Sequence, residues 1–404
     1  MSRHLRLLAL AAVLALVAAA CGGDATDEDG ARTGEKIEVS VYFQGAITGP
    51  FNYLVISAYL AAQMRARELN EDLNFPARIT VKPGDTQGDP ANAPPIVDEA
   101  VSDPTTVAIE GPAFSGESDA SGDTYNEAQI PFVTPSATNP ALAEKGWDYW
   151  YRGVANDITQ GTPTATYIGQ VVGATNVFVS HDKSTYGQGL AEIVRDKLGD
   201  EGIEVAGFEG IESGQEDFSA FISAVTASGA DALYFGGYDA DFGKIVTQAR
   251  DAGLNIPLVS GDGSTSSTLV DLAGDNLTDV HLSCPCNLEG GGDFLFRFRS
   301  SFGGAAEVVP IYAAEGYDAM SLIGEGIRSA IDGGATTPEE IRQGIKEYLD
   351  TLTVDNPFEG VAKTYAFEPD THELAAQDPL QLIYFYEAEP GQINLMGQAS
   401  EVLG

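Results

Sequence analysis

The sequence is short of cysteine, histidine and positive charge. Its three cysteines, Cys21, Cys284 and Cys286, contain no CxxC pair, which excludes a zinc ribbon or a thioredoxin-type redox motif. The four histidines, His4, His181, His281 and His372, are too scattered for a metal cluster, and no metal or other cofactor is expected. Only 21 bases stand against 60 acids, a formal net charge of −39. An extended nucleic-acid surface would repel phosphate, and docking through a basic patch to a membrane is disfavoured. Beyond the N-terminal run described below, no stretch approaches 18 apolar residues, so no permanent membrane span is expected. G-x-S-x-G, H-E-x-x-H and G-x-x-x-x-G-K-[ST] are missing, and no serine has an identifiable His and Asp partner, which argues against an enzyme.

What is present is a chain of 404 residues, 43% hydrophobic and 20% charged, the composition of a globular protein with two or three domains. It begins MSRHLRLLALAAVLALVAAACGG, with Arg3 and Arg6 ahead of an unbroken apolar run from Leu7 to Ala20. That run suits the apolar region of a secretory signal better than a helix spanning a ~30 Å hydrocarbon core. Ala18, Ala19 and Ala20 precede Cys21 in a pattern that resembles a bacterial lipobox, except that Ala18 stands where leucine is usual. Residues 1–20 are therefore expected to be a signal peptide and Cys21 a lipidated N-terminus that anchors the protein outside the cytoplasm. Gly22 to Glu35 is acidic with no apolar residue larger than alanine, so 21–36 reads as a solvated linker.

From Ile37 onward, short β-branched or aromatic runs alternate with amphipathic stretches. Ile37–Phe43 alternates as a strand should, and a helical stretch follows the Gly49-Pro50 turn, from about Ile56 to Leu69. Val177–Val179 predicts a strand; Leu190, Ile193, Val194 and Leu198 form a helical stripe, with Gly199 as its expected stop. Strands over Ile203–Phe208, Ala232–Phe235 and Ile256–Val259 alternate with stripes at Phe218–Val225 and Phe242–Ala249, the first ended near Gly229. Strict alternation implies βαβ units in parallel sheets, and the length favours two α/β lobes. Ligands in such sheets sit beyond the carboxyl ends of the strands. The loops there carry hydroxyls, tyrosines and an acid: Gly45–Pro50, Glu110–Ser115, Thr134–Thr138, His181–Gly187, Gly236–Asp241 and Ser260–Gly263. Ser and Thr hydroxyls, with backbone N–H groups beside glycine, can bind a carboxylate.

The segments HDKSTYGQGLAEIV (181–194), GIESGQEDFSAFI (210–222), YFGGYDADFGKIVTQARDAGL (234–254) and VTPSAT (133–138) resemble the leucine/isoleucine/valine-binding protein family, type I solute receptors of ABC importers. The resemblance runs from about residue 37 to the end. It implies two doubly wound α/β lobes with three hinge crossings, near Gly153, near Cys284 and over Val361–Tyr365. One lobe would comprise 37–153 and 287–363, the other 154–286 and 364–404. Carried over by position, Ser115 would bind the α-carboxylate of an amino acid, and Ser136, Ala137 and Thr138 its polar end. Tyr186 and Tyr238 would cover the ligand on closure, and Asp262, followed by Gly263, would pair with its α-ammonium. A buried carboxylate needs a cation, and a zwitterion brings one. Tyr312 would line the apolar part. Leu54 stands where well-known members carry a pocket tyrosine, with Tyr53 adjacent; Phe114 replaces a half-cystine of the family's small disulfide, and Asp262 is a methylene shorter than the family's glutamate.

The resemblance implies a monomeric, lipid-anchored receptor that delivers a branched-chain or related aliphatic amino acid to an ABC permease. An amide, urea or aromatic-acid receptor of the same fold, or a sensory ligand-binding protein, is the alternative. His181 and Asp182 read as structural. Cys284-Pro285-Cys286 leaves open a disulfide, a metal clip or two thiols; an oxidising compartment favours the disulfide, which would stiffen the hinge. The acidic excess reads as a solvated face.

Overall fold

A computed structural model describes residues 35–303 and 309–404; the signal sequence, Cys21 and most of the linker lie outside the described residues. Two sheets organise the chain. The first is wholly parallel in the order β2-β1-β3-β4-β5: β1 Ile37–Gly45, β2 Ala77–Asp85, β3 Thr106–Glu110, β4 Phe132–Thr134 and β5 Trp150–Arg152. The second has the order β14-β13-β10-β9-β8-β6-β7, built from β6 Asn176–His181, β7 Glu204–Gly210, β8 Ala232–Gly236, β9 Leu258–Ser260, β10 Val280–Cys284, β13 Tyr384–Glu389 and β14 Gln392–Gln398. A two-stranded ladder, β11 Phe358–Glu359 with β12 Thr364–Tyr365, lies in sequence between β10 and β13.

The expected parallel pairing holds for β10-β9-β8-β6-β7. The second sheet is nevertheless mixed, because β13 and β14 form an antiparallel hairpin and β13 runs antiparallel to β10. The Pro390-Gly391 turn, with Gly391 at φ 84°, is too short for a helical crossover and so reverses the chain.

Helices cover the sheets: α1 Asn52–Glu71, α2 Ala93–Ser102, α3 Ser115–Glu127, α4 Asp157–Tyr167, α5 Thr185–Asp200, α6 Ser219–Ser228, α7 Asp239–Asp251, α8 Ser267–Ala273, α9 Phe294–Phe302, α10 Ala313–Asp332, α11 Pro338–Asp350 and α12 Ala399–Val402. The stripe on α5 is real, with Leu190, Val194 and Leu198 fully buried. Its expected end at Gly199 is not where the helix stops. Gly199 stays helical, α5 continues to Asp200, and the left-handed turn falls to Gly202 at φ 77°; α6 does end on its glycine, Gly229 at φ 71°. Among the described residues no helix is long and apolar enough to cross a membrane.

After β5 the chain leaves the first sheet for the second. It returns after β10, where α9, α10 and α11 pack against α1 and β3, and passes over again after β12. These passages place the carboxyl-terminal loops of both sheets face to face. Cys284 and Cys286 are joined by a disulfide, both fully buried, at the second passage. Beside it the buried Lys363 meets Glu315 at 3.1 Å and donates to the Pro285 carbonyl at 2.8 Å, tying the second passage to the third.

Candidate functional site

Between the facing loops lies a small, tightly closed cavity walled by Leu54 and Val55 of α1, Ala113, Phe114 and Ser115 at the start of α3, Ser136, Tyr186, Tyr238, Asp262, Gly263 and Tyr312. Phe114, Ser115, Ser136, Tyr186, Tyr238, Asp262, Gly263 and Tyr312 were expected there; Val55 and Ala113 were not. Leu54 takes the wall position and Tyr53 does not, its hydroxyl buried without a hydrogen-bond partner. Helical phase along α1 decides this, since adjacent residues point about 100° apart.

Asp262 sits 4% exposed at the foot of β9. Tyr186 donates to its Oδ1 at 2.9 Å and Tyr312 to its Oδ2 at 2.6 Å. Tyr186 also accepts from the Gly263 N–H at 3.0 Å, so one phenol holds both residues. Burial raises the Asp262 pKa above the ordinary carboxylate range, against the phenols and Gln160, which lower it. Tyr312 holds a left-handed backbone at φ 57° immediately before α10, a strained conformation for a tyrosine that aims its ring across the cleft.

The other face supplies donors. Ser115 opens α3, where the first backbone N–H groups have no intrahelical partner and the helix dipole favours an anion. Its hydroxyl accepts from the Asn139 N–H at 3.2 Å, and Ser136 donates to the Ala113 carbonyl at 2.7 Å.

Ala137 and Thr138 were expected in the wall and are not part of it. The Ala137 N–H donates to Thr134 Oγ1 at 3.0 Å and its carbonyl accepts from Arg152. Arg152 is fully buried; it also binds the Asn139 carbonyl at 2.9 Å and grips Glu373 with two nitrogens at 2.8 and 3.0 Å. Thr138 is buried, with its hydroxyl against the carboxylate of Asp157.

Sequence reasoning missed Asp157. It is fully buried at the first turn of α4, its N–H donates to the Thr138 carbonyl at 2.9 Å, and neither carboxylate oxygen has a hydrogen-bond partner of good geometry. Burial first, and the charge of Asp262 second, push its pKa up to about 8 despite Thr138 and Arg152. The only signal was Asn156-Asp157 after the first passage, which reads as an ordinary helix cap; Asn156 does cap α4, accepting from the Ile158 and Thr159 N–H groups.

The faces are in contact. Asn139 donates to the Thr185 carbonyl at 2.6 Å, and a Cβ added at Gly189 of α5 would lie 2.6 Å from Asn139 Nδ2. His181 and Asp182 serve the loop after β6: the Lys183 N–H donates to His181 Nδ1 at 3.1 Å, and Asp182 accepts from the Ser184 N–H at 2.9 Å and from its hydroxyl at 2.6 Å. The site thus offers an anion-binding helix start on one side and buried carboxylates without a paired cation on the other.

A sequence model of the family described as periplasmic binding protein matches residues 39–392. An amino acid binding protein of Pseudomonas aeruginosa is 34% identical over 214 residues, 52% of this chain and 57% of that protein, so the chain aligns to little more than half of that relative. A Leu/Ile/Val-binding protein homolog of Brucella abortus is 28% identical over 74% of this chain and 80% of its own length. In fold, the chain resembles a branched-chain amino acid transporter substrate binding protein from Streptococcus pneumoniae in complex with isoleucine: TM-score 0.76, 24% identity, 90% of this chain and 100% of that one. It also resembles a leucine binding protein from Thermotoga maritima, with TM-score 0.77, 22% identity, and 89% and 98% coverage.

Proposed function

This chain belongs to the periplasmic binding protein family, and from that premise we propose that it is a receptor of an ABC importer that closes over a branched-chain or related aliphatic amino acid. The observation that carries this is Asp262, a buried acid with no cation of its own on the wall of a cavity whose opposite wall presents the start of α3, with the buried and protonated Asp157 near enough to feel its charge. An α-amino acid supplies the missing ammonium and, at the distance of one carbon, a carboxylate for Ser115 and the free N–H groups. Leu54, Val55, Ala113 and Phe114 leave an apolar end for an aliphatic side chain. The relatives named for leucine, isoleucine and valine support the same class. A plain acid, an amide, a urea or an aromatic acid leaves Asp262 without a cation.

In this reading Ser115, Ser136, Asp262 and Gly263 hold the polar end, with Thr138 and Asp157 behind it, and Tyr186, Tyr238, Phe114 and Tyr312 enclose it. Residues 37–153 with 287–363 form one lobe and 154–286 with 364–404 the other. Bending at the three passages opens and closes the cleft, and the closed form presents both lobes to a permease. The chain works as a monomer, without catalysis, tethered outside the cytoplasm through a lipidated Cys21. Calorimetric titration of protein lacking the lipid against the common amino acids tests this: heat with Leu, Ile or Val is expected, and none with any of the three overturns the ligand class. Mass spectrometry of the membrane-extracted N-terminus tests the anchor.

A further inference from the structure

We propose that Phe51 is the gate of the cleft: a residue outside the ligand cavity whose ring locks the two lobes together and sets how fast a bound ligand escapes. This rests on the reading of the chain as a two-lobed receptor, and deepens it by assigning the release step. Phe51 immediately precedes α1 and is not part of the cavity wall. Its ring lies edge-on to Tyr238, centroids 5.4 Å apart, and edge-on to Phe114 at 6.4 Å, while Phe114 and Tyr238 meet each other at 5.8 Å. Two of the three corners, Phe114 and Tyr238, are cavity residues. Phe51 and Phe114 come from the side of the first sheet and Tyr238 from the loop after β8 of the second, so the triangle exists only while the cleft is shut.

The ring is held from behind as well. Gly88, at φ 80° in the turn after β2, leaves room for it: a Cβ there would lie 2.7 Å from the Phe51 ring. Phe51 is half-buried, between the cavity and solvent. Edge-to-face pairs add attraction beyond the apolar area they bury. Contacts formed only after closure act on dissociation and leave the encounter rate nearly untouched. Phe51 is thus a positioning residue that acts on the ligand through Phe114 and Tyr238.

The test compares wild type with Phe51→Ala and Phe51→Tyr by stopped-flow release of bound isoleucine and by amide hydrogen exchange without added ligand. Phe51→Ala is expected to release ligand roughly tenfold faster with an association rate changed less than about twofold. It is also expected to lose exchange protection at residues 86–89 and 236–239, and Phe51→Tyr to restore both. Unchanged release overturns the proposal; lost protection without faster release also overturns it, reducing Phe51 to packing. If isoleucine binds neither protein, the ligand reading fails and exchange across the cleft decides the gate: protection lost in Phe51→Ala at 236–239, on the opposite lobe, as well as at 86–89 supports it, and loss confined to 86–89, or no loss, overturns it.

Discussion

The phenol of Tyr312 donates to Oδ2 of Asp262 at 2.6 Å, joining the N-terminus of α10, which packs on the first sheet, to the loop after β9 of the second. The bond spans the two sheets, so under the proposed closing motion it would form only as the lobes meet and would link closure to charge stabilisation. Replacing Tyr312 with Phe keeps the ring and removes the donor. A hydrogen bond to a charged group is worth about 1.5–3 kcal/mol, and ligand affinity is expected to fall by the corresponding tenfold to hundredfold, measured calorimetrically, with little change in the melting temperature of the ligand-free protein.

Asp157 is expected to make binding pH-dependent. Burial holds its pKa at about 8 against an ordinary 3.8, so the folded, ligand-free protein keeps a proton that the unfolded chain releases. The resulting cost to folding is absent below pH 3.8, grows as pH rises and is complete above about 8. A ligand ammonium favours the carboxylate, so binding in this window expels a proton and affinity rises with pH. Titrations at about pH 5.5 and 7.5 in buffers of different ionisation enthalpy should show both effects. Asp157→Asn should flatten the slope; a wild-type affinity that falls as pH rises would contradict the assignment.

Gly189 separates closure from folding. A methyl group there meets Asn139 Nδ2 at 2.6 Å, where Asn139 reaches the Thr185 carbonyl. In a helix interior Gly→Ala is worth roughly 0.5–1 kcal/mol in favour of the folded state. Gly189→Ala is therefore expected to melt at the same or a higher temperature without ligand, yet bind more weakly. Equal affinity would show that the Asn139 contact does not limit closure.

The Cys284–Cys286 disulfide closes so short a loop that it removes little unfolded-chain entropy, about 1.5 kcal/mol. The Cys284→Ser, Cys286→Ser double variant should fold and lose only that much stability in denaturant melts. If the bridge stiffens the second passage, ligand on- and off-rates of the variant both change while the spectra of the native state do not.

Much of this was legible in the residues, and the exceptions have physical causes. The units from Asn176 to Ser260 read clearly because each buried strand is bounded by glycine or a polar turn and each helix shows one apolar stripe, as on α5 and α7. The β13-β14 hairpin did not, since its outer strand exposes Leu395 at 47% and Met396 at 39%, blurring the alternation. Cavity residues at strand ends were found because topology fixes where such loops meet. Leu54 against Tyr53 turned on the rotation of α1, and Asp157 on its burial in the fold and on the charge of Asp262, more than a hundred positions away. Ala137 gives its carbonyl to Arg152, which pairs with Glu373 across 221 residues, and Thr138 gives its carbonyl to the Asp157 N–H, links that no local pattern reveals.

Asp262→Ala should cost roughly 2–5 kcal/mol in binding an amino acid, the cost of truncating one member of a buried charge pair. The loss must be specific to the ammonium. The direct test measures leucine and its deaminated analogue 4-methylpentanoate on wild type and on Asp262→Ala. The account predicts that wild type prefers leucine by more than about a hundredfold, near 2.7 kcal/mol, and that Asp262→Ala loses most of that preference. An identical preference in both proteins would contradict the pairing of Asp262 with the ligand's ammonium.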